Sequence, residues 1–182
     1  MTDPEIDALL WTPDRLAAAV RDAAACARGY PPSTNFPPAL FVHAVNKDKS
    51  LSQELYVLLT DFNEDAEKRD LLRHIGQKCY EEKRAPLAAV LAAECWHSVQ
   101  RIGTIAPHVE PRHDPARQEG LVIMGVALGG AACSIYVPVT RDGRNHIVPG
   151  EAEALVSAGV RVPLLQHLFA GFFDALTAKM RN

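Results

Sequence analysis

The sequence predicts an α+β fold: a single, mainly antiparallel sheet of five to six strands, in the order α-β-β-α-β-β-β-α, with helices packed on it. Three observations carry this. Two apolar runs, Leu121–Leu128 and Ala131–Val139, are joined by Gly129-Gly130, a β-hairpin signal in which two glycines supply the positive φ of a two-residue turn. Leu71, Leu72, Ile75 and Cys79 recur at helical spacing, between an acidic start (Glu64, Asp65, Glu67) and a basic end (Lys83, Arg84). Leu164, Leu165, Leu168, Phe169, Phe172 and Leu176 form a second, broader helical stripe, widened by Phe173.

The elements follow in order. Residues 1–11 are a short acidic lead ending in Leu9-Leu10-Trp11. Thr12-Pro13-Asp14 is a helix start, with a hydroxyl cap, proline at the first position and an acid for the helix dipole. That helix runs to Arg28 with Leu16, Val20 and Ala23/Ala24 on its apolar face, and Gly29 suits its C′ position. Residues 30–38 hold four prolines and read as a rigid extended connector inside one domain. Leu40–Val45 and Gln53–Phe62 read as strands across the polar turn 46–50. Both faces of the second are apolar, which predicts an interior strand. Asn63 caps the next helix. Leu87–His97 is alanine-rich and fits strand or helix by length; a strand returns the chain to the sheet most economically, and strand is the favoured reading. Asp142-Gly143 marks a tight turn before a short sixth strand at His146–Val148, and Pro138 is expected to put the strand before it at a sheet edge or at its own end. Helices are expected from Gly150 to about Ala158 and from Pro163 to about Met180.

A chain of 182 residues forms one domain, 1–182, and buries about 70% of its unfolded surface. A net charge of −3 implies no nucleic-acid or membrane partner through the overall field. No apolar run approaches the ~18 residues of a membrane span, and the acidic start lacks the order of a secretory signal. Cys26, Cys79, Cys95 and Cys133 are scattered, with no Cys-x-x-Cys spacing. They read as reduced, mostly buried thiols of a cytoplasmic protein. The element order is similar to that of profilin-like and roadblock/longin-type domains. This likeness is one of element order and rests on no motif; it implies a partner-binding module.

The candidate site is a rim. If 87–97, 121–128 and 131–139 are consecutive antiparallel strands, the loop 98–119 and the turn 140–145 lie at the same end of the sheet. Together they carry Arg101, Arg112, Arg117, Arg141 and Arg144, with His108 and His113, and with His97 and His146 nearby. Guanidinium groups suit phosphates and carboxylates. Glu110, Asp114, Glu119 and Asp142 sit among them, so local pairing is the competing reading. His108, Glu110, His113 and Asp114 are metal-ligand types in no established spacing, and neither a metal nor a cofactor is expected. On a strand Cys95 and His97 share a face, where an imidazole could activate the thiol; on a helix they diverge by about 200° and the idea fails. No Gly-x-Ser-x-Gly, phosphate loop or other catalytic signature is present.

The leading expectation is therefore a non-catalytic interaction or assembly module that binds a protein partner or itself. It would work through Arg101, Arg112, His113, Arg117, Arg141 and Arg144, or through the C-terminal helix. The alternative is a small enzyme or binding domain for an anionic small molecule. It would use the same rim, with Cys95, His97 or His113 as catalytic candidates. A subunit of a larger particle, its C-terminal helix against a neighbour, is the third.

Overall fold

The computed structural model describes residues 11–58, 65–97 and 117–181. They form α1 (Pro13–Arg28), β1 (Ala39–Asn46), β2 (Leu51–Val57), α2 (Asp65–Glu81), β3 (Arg84–His97), β4 (Gln118–Ala127), β5 (Ala132–Arg141), β6 (Ile147–Pro149) and α3 (Pro163–Met180). All six strands join one antiparallel sheet in the order β2-β1-β3-β4-β5-β6. Fold class and element order are those the sequence predicts. No described helix is long and apolar enough to cross a membrane.

Residues 87–97 are strand, and β3 begins three residues earlier. It is central, between β1 and β4, with helices on both its faces. Ala88, Val90 and Ala92 lie under α1, while Ala89 and Leu91 lie under α2 and α3. The alanines that blurred the reading let two helical layers approach one strand. Thr12 caps α1 through Oγ1, which accepts the Arg15 N–H at 3.3 Å, and Gly29 closes it at an ordinary negative φ of −82°. Leu16, Val20, Ala23, Ala24 and Ala27 pack α1 over β3, β4 and β5. On the opposite face α2 and α3 pack on each other and on the sheet, burying Leu72, Ile75, Cys79, Leu165, Leu168 and Phe169. The broad C-terminal stripe is thus largely core. The Asn63 cap lies outside the described residues.

Three hairpin turns share one geometry. In each, the first residue's N–H bonds the carbonyl four positions on, and the residue before that carbonyl has positive φ: Lys49 (67°), Gly130 (89°) and Asn145 (61°). These are three-residue loops closed by a left-handed residue. Only Gly130 of the glycine pair uses its freedom, so the expected two-residue turn is replaced by the longer one.

Two further expectations fail. The segment 150–158 is not helical. Beyond the short β6 the outer side of β5 is an open edge, and this segment runs along it in extended form. The N–H groups of Gly150, Glu153 and Val156 bond the carbonyls of Pro138, Tyr136 and Ser134 at 2.7, 2.8 and 2.9 Å. Demand from an open edge outweighs the helix propensity of Glu151-Ala-Glu-Ala154. Likewise β2 is not interior. It ends at Val57 and is the outermost strand, and within it the face opposite Leu51, Leu55 and Val57 carries Ser52, Glu54 and Tyr56.

Candidate interaction surface

Of the predicted rim, Arg101, Arg112 and His113 lie outside the described residues, as do His108, Glu110 and Asp114. The rest can be placed. Arg141, at the end of β5, directs its whole guanidinium inward. Nε donates to Glu119 at 2.9 Å, Nη2 to Glu119 and to Glu94 (2.9 Å), and Nη1 to the carbonyls of Thr34 and Asn145. The other oxygen of Glu94 accepts the Phe36 N–H at 3.2 Å, and the Ile147 N–H bonds the Ser33 carbonyl at 2.8 Å. This cluster therefore staples the proline connector over the end of the sheet. Arg141 holds Glu119 below the ordinary glutamate range by hydrogen bonding, whereas burial, and then the Glu119 carboxylate, push Glu94 up. Arg117 lies over the Trp96 indole at 4.7 Å. Arg144 is exposed at the turn tip, its backbone N–H bonded to Asp142. Among the described residues Arg117, Arg141 and Arg144 share one end of the sheet, but Arg141 serves the fold.

Cys95 sits on the opposite face, where burial, and then Glu94, push its thiol up to about 11. Activation needs the reverse. The side chain of His97 lies outside the description. The four cysteines form no disulfide, and among the described residues no cluster of His, Cys, Asp or Glu could hold a metal ion.

Sequence reading missed two other features. Arg84, only 8% exposed, pairs with Glu54 and Glu82 and lies within 3.5 Å of the Tyr56 hydroxyl. Tyr56 in turn donates to Glu54 at 2.8 Å, and burial pushes it up to about 12. Glu54 and Tyr56 alternate onto one face of β2, which is the only sequence signal of this cluster. Beside it a cleft of about 540 Å³ is lined by Lys47, Lys83 and Lys179, with Tyr80 and Phe172 as its aromatic wall.

The second feature follows from where α1 stands. It covers β3–β5, and no described helix covers the β1–β2 half of that face. Trp11 covers part of β1 through its contact with His43 (ring centroids 4.6 Å apart). On β2, Leu51, Leu55 and Val57 are 52%, 55% and 48% exposed. In the corner between this bare strand and the flank of α1 lies an apolar cleft of about 190 Å³, lined by Cys26, Tyr30, Phe36, Phe41, Leu55 and Val57 among others. The backbone agrees. Leu58 donates to Pro38, and Ser50 accepts from Asn46, so the even-numbered residues of β2 bond β1. By alternation the N–H and C=O of residues 51, 53, 55 and 57 point outward, and no described strand pairs with them. The exposed apolar side chains and the open backbone edge thus coincide. No family model, curated protein or solved structure matches the chain.

Proposed function

We propose that this protein is a non-catalytic protein-interaction module and that the β1–β2 half of the sheet is its docking surface. One observation supports this above the others: three large apolar side chains stand exposed in register along a sheet edge that no described strand pairs. Edge strands are ordinarily blunted by lysine, proline or a bulge, and β2 has none of these between Leu51 and Val57. A strand so equipped binds extended backbone by hydrogen bonds and side chains by pockets, and the cleft beside Leu55 and Val57 is such a pocket. A photo-crosslinking residue at position 55, in cells that make the protein, tests the reading. The expected result is defined crosslinked partners that disappear when Val57→Lys is added. Unchanged crosslinking with that substitution removes the β1–β2 surface from the reading.

A second reading, an anionic small molecule as ligand, moves from the arginine rim to the lysine cleft. Lys47, Lys83 and Lys179 converge there without an ion-pair partner among the described residues. Its volume is within the range of small-molecule sites. Titration calorimetry with pyrophosphate is expected to show binding that weakens with added salt and is lost in Lys83→Ala plus Lys179→Ala. No heat at low salt ends this reading.

A further inference from the structure

We infer that the occupant of this half-face, which among the described residues is covered only by Trp11 at β1, is the same half-face of a second copy, laid on it face to face. This rests on the reading of that surface as the docking site. A helix is about 10 Å thick and packed sheets lie about 10 Å apart, so the step beside α1 has the depth of one β-layer. A copy turned over by a two-fold axis between the sheets sets its own β1–β2 half into that step. Its α1 then lies along the first copy's β2 edge, and the first α1 lies along its edge. Each open edge is thereby covered by a helix flank, one of the ordinary means of protecting an edge. One isologous contact satisfies both features of the surface, the apolar side chains and the exposed strand edge.

Charge favours the same occupant. None of the eight residues that β1 and β2 turn to this face is Asp, Glu, Lys or Arg. The one titratable group among them, His43, has its pKa lowered by burial, with Asp22 opposing. A nucleic acid, an acidic peptide or a lipid headgroup meets no counter-charge here, whereas an identical face meets like chemistry without repulsion. Area sets the strength. About a dozen residues a side, counting the α1 flank, correspond to roughly 800 Å² in total, the range of weak and reversible contacts.

Sedimentation velocity on the full chain, from about 1 to 500 μM, tests this. A reversible monomer–dimer equilibrium with a dissociation constant of tens of micromolar is expected. Leu55→Lys with Val57→Lys should raise that constant at least about 30-fold, since lysines then face lysines across the two-fold. Both positions are half exposed, so the melting temperature of dilute protein should hold. Gln53→Arg, on the same face, gives the same result by a second route. A wild type that stays monomeric throughout overturns the inference, as does a dimer indifferent to these substitutions. So does a dimer that forms only after residues 1–10 are deleted, because the lead is then the occupant. A monomeric wild type whose position-55 crosslinks still vanish with Val57→Lys removes the second copy and keeps the docking surface. Indifference in both experiments removes both.

Discussion

Gly76→Ala and Gly171→Ala will each destabilise the protein by about 3 kcal/mol, lowering the melting temperature by about 6–12 °C. Helix propensity alone says the opposite. An alanine in the interior of α2 or α3 should add up to about 1 kcal/mol of stability over glycine. The packing decides the sign. A Cβ at Gly76 would stand 1.9 Å from the Leu168 carbonyl oxygen and 2.9 Å from the Phe172 nitrogen. One at Gly171 would stand 2.1 Å from the Arg73 carbonyl oxygen. Both obstacles are backbone, so no side chain can swing away. The helices must part by more than an ångström. Leu72, Ile75, Leu165 and Leu168, all buried between them and the sheet, then lose contact together. Because both substitutions separate the same pair, the double variant should cost clearly less than the two singles summed. Thermal unfolding of the three variants checks this. A rise in melting temperature for either single would mean the helices do not touch at these glycines.

Those glycines also show what was legible. The apolar stripes of α2 and α3 were read correctly because amphipathic spacing is local. The contact between the helices involves positions about a hundred residues apart, and its only trace is a glycine in the middle of each helix. The same division runs through the sheet. Hairpin partners were legible in β4 and β5, where turn chemistry joins neighbours. Whether a strand is central or lateral depends on what packs beside it. β2 carries Leu51, Leu55 and Val57 exposed on one face, opposite Ser52, Glu54 and Tyr56, and occupies an edge. A strand that breaks the rule for its position marks a surface where something else is meant to pack. The segment 150–158 failed for the complementary reason: its helix propensity was real, and an unpaired edge of β5 outbid it.

Of the rim, Arg117, Arg141 and Arg144 can be placed, and the sequence order puts them at one end of the sheet with Glu119 among the neighbouring carboxylates. Glu94, from β3, could not be assigned to Arg141 on β5, since a fold has to bring together residues 47 apart. Alternation puts Cys95 on the face of β3 opposite Glu94, yet whether a thiol is activated depends on solvent and neighbouring charge, which alternation does not report. Arg84 looked like a helix-terminal cation and is the most buried charge among the described residues.

The Arg141 cluster carries the other large effect. Its three side chains are 13–28% exposed, so removing the guanidinium leaves two carboxylates close together with little water. Arg141→Ala should cost about 3 kcal/mol. Arg141→Lys keeps the charge without the fork that bonds both glutamates and two carbonyls, and should recover less than half of that. The loss should concentrate in the connector, so hydrogen exchange at Phe36 and Ile147 should accelerate before that of the central strand. Acidity separates the two glutamates. Glu119 has a lowered pKa, so its contribution is present above the ordinary glutamate value and is lost as pH falls through the folded-state value. Glu94 has a raised pKa, so its ionised form is a cost at neutral pH that disappears as pH falls through that raised value. Glu94→Gln, whose amide oxygen can accept from Phe36 and whose nitrogen can donate to Glu119 at the loss of the one Arg141 bond to that position, should therefore melt higher than the wild type at pH 7. The two curves should converge toward acid, as the wild type takes up the proton that glutamine imitates. A Glu94→Gln variant that melts lower at pH 7, with the gap widening toward neutrality, would mean that Arg141 depends on the negative charge of Glu94 as well as that of Glu119.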